Sequence, residues 1–134
     1  MLRKIFITLV FGIGVLLVSE TFPAVTQGAR EDRGQKLYMQ YCASCHGTDG
    51  KGGGPVASSL KTAIPDLTTI EKRNGKFDQL RMQHIIAGEV EVAAHGQKEM
   101  PVWGYVFRQK AGGQSAATLN VYTLAAYLKS IQAK

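Results

Sequence analysis

Cys42 and Cys45 are the only cysteines in this 134-residue chain, and His46 follows the second directly. No other feature limits the fold as strongly. A small exported domain stapled by disulfides uses four or more cysteines, and a bridge across two residues would leave His46 without a role. A structural zinc site takes four ligands, which two cysteines with His84 and His95 do not supply at a usual spacing. A thioredoxin-type pair needs a βαβ setting, and no strand-like alternation precedes Cys42.

The surviving reading is Cys42-Ala43-Ser44-Cys45-His46 as Cys-x-x-Cys-His, the attachment signature of c-type haem. The spacing has a physical reason. Two thiols must reach two vinyl groups along one edge of the porphyrin, and the next residue must bring its imidazole under the iron. One helical turn ending at the histidine does both. One haem c, bonded through Cys42 and Cys45 with His46 on the iron, is the expected cofactor.

The rest of the chain reads as helices joined by two long loops. Gly34, Leu37, Tyr38 and Tyr41 recur at helical spacing, with Glu31 and Asp32 placed for a helix start, so a first helix is expected from Asp32 to Ala43. Gly47 to Pro65 holds five glycines and two prolines and is expected to be irregular. Asp66 is placed to cap a turn running through Glu71, and Asn74-Gly75 reads as a turn. Asp78 is a second N-cap, with Phe77 and Met82 at staple positions, Leu80, Ile85 and Ile86 as the apolar face, and Gly88 as the stop. Glu89 to Gln114 is expected to be a second irregular stretch, and Ser115 to cap a last helix that buries Leu124, Leu128 and Ile131. Long loops in a small domain usually have a functional cause, here the wrapping of a cofactor. The fold class is therefore all-α, with three to five helices around one covalently bound haem.

Residues 1–29 are expected to be a signal peptide and 30–134 the monohaem domain. Arg3 and Lys4 precede an uncharged apolar run of fourteen residues, Ile5 to Val18. Its length fits the roughly 7–15 residues of a signal h-region and falls short of the roughly 20 needed to span a bilayer. No clean Ala-x-Ala site follows, and cleavage is expected near Gly28 or Ala29. An uncleaved run 5–18 would instead attach the protein to a membrane. The expected compartment is the periplasm.

An electron-carrying haem takes a second axial ligand, for which Met39, Met82, Met100, His84 and His95 are candidates. Met39 and Met82 fall inside expected helices, where core packing is the ordinary role. Met100 stands in a loop before Pro101, which biases it towards an extended conformation and holds its sulfur out. A thioether ligand favours the ferrous state.

These residues resemble the class I c-type cytochromes, specifically the bacterial monohaem kind, over residues 31–133. In that family a glycine and an aromatic stand eight and four residues before the first haem cysteine, as do Gly34 and Tyr38 here. Its last helix carries Leu-x-x-Tyr-Leu, as in Leu124-Ala125-Ala126-Tyr127-Leu128, and packs against the first helix at the glycine. The resemblance implies a cytochrome c-like fold, the carbonyl of Pro55 accepting a hydrogen bond from His46, and Met100 as the distal ligand. Trp103 follows the ligand loop and is a candidate to give its indole N–H to a haem propionate.

The implied function is single-electron transfer with His46 and Met100 on the iron, and no enzymatic turnover. The alternatives are the electron-accepting subunit of a periplasmic dehydrogenase or oxidase system, and a sensor or enzyme with an open iron site. Net charge is +6 and the pI about 9.5, which suits redox partners with acidic docking surfaces. Lys51, Lys61, Lys72, Arg73 and Lys98 flank the expected haem segments and form the candidate docking ring. No nucleic-acid-binding motif is present, and the Gly47–Gly54 loop lacks the Walker pattern.

Overall fold

The structure, a computed structural model, describes residues 27–90 and 100–134. Among these residues every regular element is helical: α1 (Gln27–Tyr41), α2 (Ala43–His46), α3 (Ile70–Asn74), α4 (Gln79–Ala87), α5 (Trp103–Lys110) and α6 (Gln114–Ser130). Without the single turn of α2 that is five helices, and the all-α, cytochrome c-like expectation holds. None of the described helices is long and apolar enough to cross a membrane. The apolar run Ile5 to Val18 and the candidate ligand His95 lie outside the described residues, as does Lys98 of the docking ring.

Helix α6 is the scaffold. Helices α1, α4 and α5 all pack against it, and its Ala117, Val121, Leu124, Ala125, Tyr127 and Leu128 are buried. Tyr38 of α1 and Phe107 of α5 complete the core at 0% and 1% exposure. Fully burying a side chain the size of Leu or Phe contributes about 1.5–3 kcal/mol, so this three-sided packing carries much of the fold. Gly34 marks the α1–α6 crossing. A Cβ there would run into the Thr123 carbonyl oxygen and lie 2.7 Å from Tyr127 Cβ, so only glycine lets the helices approach. Arg33 ties the same crossing by donating to Asn120 Oδ1 at 2.8 Å.

One turn further on, the Tyr38 ring packs on Tyr127 with centroids 5.3 Å apart. The Tyr38 hydroxyl donates to the Gly47 carbonyl at 2.6 Å, joining α1 to the loop after α2. Burial holds this phenol protonated well above the usual tyrosine range, with Cys42, Tyr127 and Asp49 adding to the effect. Tyr38→Phe is expected to lower stability by about 0.5–1.5 kcal/mol by removing one of two hydrogen bonds on a buried carbonyl that also accepts Gly50 N–H at 3.2 Å. Denaturant unfolding of the holoprotein checks this, and an unchanged midpoint would mean that the bond contributes nothing.

Several local readings hold. Asp66 accepts Thr68 N–H at 2.7 Å and starts the 3-10 turn Leu67–Thr69, which runs on into α3. Asp78 caps α4 by accepting Arg81 N–H at 2.9 Å, and Gly88 closes it.

Others are corrected. Helix α1 begins at Gln27, so Glu31 and Asp32 lie beyond its first turn, and it stops at Tyr41 instead of reaching Ala43. The stretch expected to be irregular from Glu89 to Gln114 contains α5, whose Trp103 and Phe107, four residues apart, face inward and whose last turn carries Arg108 and Lys110. Helix α6 starts after Gly113 with no side-chain cap, so Ser115 does not cap it. Leu80 and Met39 are exposed, at 63% and 42%, on the outer faces of α4 and α1.

Candidate haem site

Helix α1 breaks at Cys42, and the next residues wind into one turn. The N–H groups of Cys45 and His46 both donate to the Cys42 carbonyl, at 3.1 and 2.9 Å. This turn places Cys42 and Cys45 half-buried and His46 buried at 8% exposure.

A turn this short leaves its last carbonyls without helical partners, and the glycine loop supplies them. Gly52 N–H donates to the His46 carbonyl at 2.8 Å, Gly54 N–H to Cys45 at 3.1 Å, and Val56 N–H to Ser44 at 3.1 Å. A Cβ on Gly54 would lie 2.7 Å from the Cys45 carbonyl carbon, so the backbones can meet only at glycine. Pro55 sits exposed between the two amides that bond to Cys45 and Ser44, and the hydrogen bond expected from His46 Nδ1 to the Pro55 carbonyl is not formed.

Two adjoining cavities open on this turn. The larger, about 460 Å³, is walled by Cys42, His46, Met82, Ile85, Ile86, Met100, Trp103, Leu124 and Leu128, and reaches Pro65, Asp66, Arg73 and Asn74. The smaller is walled by Cys42, Cys45, His46, Leu60, Ile64, Met100, Pro101 and Trp103. Cys42, His46, Met100 and Trp103 belong to both. The larger volume lies within the roughly 300–1,000 Å³ usual for cofactor sites.

The residues fit a haem. Both thiols, the His46 imidazole and the Met100 thioether border one apolar space, and that nitrogen and sulfur set is one that haem iron accepts. The cysteines are not disulfide-bonded. Burial, and then the neighbouring Cys45, pushes the Cys42 thiol up to about 12. Among the described residues no group of three or more His, Cys, Asp or Glu side chains is placed to hold a bare metal ion.

The other ligand candidates separate clearly. Met39 is on the outer face of α1. His84 stands at the rim of a different cavity behind α4 and pairs with Glu89 at 2.5 Å. Met82 lines the larger cavity from a helix face packed on the core. Trp103 stacks on Phe107 at 5.8 Å between centroids and tilts against Tyr41 at 5.4 Å, which fixes it as a wall of the site.

Two residues escaped the sequence reading. Gln132 accepts Glu71 N–H at 3.0 Å and donates to the Leu67 carbonyl at 2.8 Å, while Ala133 N–H donates to Thr68 at 2.7 Å. The tail after α6 thus clamps the segment that forms the cavity's far wall. Arg73, assigned from sequence to the docking ring, lines the larger cavity. Glutamine in a C-terminal tail carries no signal for the first role, and an arginine among other basic residues carries none for the second.

The family model described as cytochrome C oxidase, cbb3-type, subunit III, matches residues 29–112. Comparison with curated proteins and with solved structures gave no match.

Proposed function

Since the chain belongs to the c-type cytochrome family described as cytochrome C oxidase, cbb3-type, subunit III, a domain for haem-based electron transfer, we propose that it is an exported single-electron carrier of the periplasm. The observation that carries this reading is the shared border of Cys42, His46 and Met100 on one apolar cavity. Haem bound there supplies the one-electron iron couple.

The chain's own residues do the rest. Cys42 and Cys45 would hold the group by thioether bonds. His46 and Met100 would hold the iron, with the loop around Pro55 bracing the turn that carries the imidazole. Ile85, Ile86, Leu124 and Leu128 keep water from the ring face, and Trp103 fixes the wall beside Met100. A haem held by both residues would offer no open iron position to a substrate. Residues 30–134 hold fourteen Lys and Arg against nine Asp and Glu, a basic balance that suits docking to an acidic redox partner, and exposed Lys51 stands on the loop beside the haem turn.

Acid-acetone extraction of the denatured holoprotein tests the attachment. Colour should stay with the polypeptide, and Cys45→Ser should cut holoprotein yield severalfold. Colour leaving with the solvent from the wild type would sink the reading.

The family description favours a second reading for the protein's setting, that it works as the cytochrome subunit of an oxidase. Co-migration of its haem stain with oxidase activity in a native gel of mildly solubilised membranes would support this. Migration at the monomer's size would favour the free carrier.

A further inference from the structure

We propose that Arg73 receives the acidic edge of the haem and, through its charge, raises the reduction potential of the iron. The inference rests on the haem reading above. Among the described residues that line the two cavities, Arg73 carries the one permanent positive charge. The cavities share Cys42, His46, Met100 and Trp103 and then diverge. One continues to Cys45 and Ile64, the other to Arg73 and Asn74. The second attachment cysteine and the cation therefore stand in different compartments of one site. A haem has the same asymmetry, with vinyl groups for the thiols and two carboxylate arms elsewhere on the ring. Apolar walls suit the ring, but a carboxylate set against them is costly unless a charged hydrogen-bond donor meets it.

Arg73 is built for that task. Its Nη1 donates to the Asp66 carbonyl at 2.8 Å and to Thr69 Oγ1 at 2.5 Å, which fixes the side chain against the cavity wall. A guanidinium has five N–H donors in a planar fork, so these anchors leave others for a carboxylate. The one anion in the same wall is already engaged. The Asp66 carboxylate takes Thr68 N–H at 2.7 Å and Thr68 Oγ1 at 2.6 Å. Those bonds, with smaller help from Arg73 and Lys51, hold it below the usual carboxylate range. Asn74 adds an amide beside the guanidinium.

A positive charge at this edge disfavours Fe(III) relative to Fe(II). The test is spectroelectrochemistry of the intact holoprotein at low ionic strength. Arg73→Gln should shift the Fe(III)/Fe(II) equilibrium about tenfold towards the oxidised form, a fall of about 59 mV for a one-electron couple. The haem should stay attached and its absorbance spectrum unchanged. Arg73→Lys keeps the charge and loses the two-pronged anchor, and should stay within about threefold of wild type. If both variants fall equally, Arg73 acts only by holding Asp66 and Thr69, and the proposal is overturned. If neither moves the potential, no haem carboxylate is met at this edge. Wild type without covalent haem would instead remove the carrier reading itself, a result visible before any potential is measured.

Discussion

Met100→Ala should leave the haem on the polypeptide and open the sixth coordination position. The ferric spectrum should turn high-spin, carbon monoxide should bind the ferrous form, and the potential should fall by on the order of 0.1 V or more. Axial ligands set haem potentials over roughly 0.8 V, so a change of this size is expected when a thioether that favours Fe(II) is removed. The structure narrows the alternatives: Met100 borders both cavities, Met39 faces outward, and His84 is paired with Glu89 behind α4. Met82→Ala is the internal control. It removes a cavity-lining side chain from a helix and should lower stability without opening the iron. An unchanged spectrum in Met100→Ala, with carbon monoxide binding gained in His95→Ala, would make the centre bis-histidine.

Gly34→Val should be the most damaging change away from the haem. Overpacking typically costs about 1–3 kcal/mol, and this site belongs at the upper end because the obstacle is backbone. The new Cβ meets the Thr123 carbonyl and Tyr127 Cβ, and a backbone carbonyl cannot rotate aside as a side-chain tip can. At roughly 4–8 °C per kcal/mol for a domain of this size, the melting temperature should fall by roughly 12–24 °C. Gly34→Ala should fall less, since it adds only the Cβ. A melting temperature unchanged in both would mean that α1 and α6 do not cross at this residue.

These two residues also show which parts of the protein can be read from sequence. Gly34, Tyr38 and Met100 stand at fixed distances from a motif or a proline, and fixed spacing survives into structure because the turn at Cys42 sets the register of everything packed near it. Asp66 and Asp78 were legible for a local reason: a cap bonds to backbone two or three residues away. What was missed depends on contacts between distant segments. Helix α5 was hidden because its inward face rests on only a few side chains in a stretch rich in turn formers, and the packing of Gly104 against the α4 backbone at Ala87 is a tertiary fact. Leu80 fits an apolar helical face by spacing, yet α4 turns Ile86 inward and leaves Leu80 outside. Gln132 acts across more than sixty residues of sequence, at Leu67 and Glu71, where no local pattern can announce it.

The position of α6 in the chain has a consequence for the order of events in making this protein. The helix on which α1, α4 and α5 all rest follows them all in the order of synthesis. A chain growing from its N-terminus cannot complete the burial of Tyr38 or Phe107 until residues 114–130 exist, and the wall around Leu67 is not clamped until Gln132 follows. Contacts so far apart are slow to form, because the loop-closure entropy must be met before they contribute. Throughout that interval the cavity that Cys42 borders lacks its Leu124 and Leu128 wall. Once that helix docks, Leu124 and Leu128 close the cavity beside Cys42, while both thiols stay half-buried.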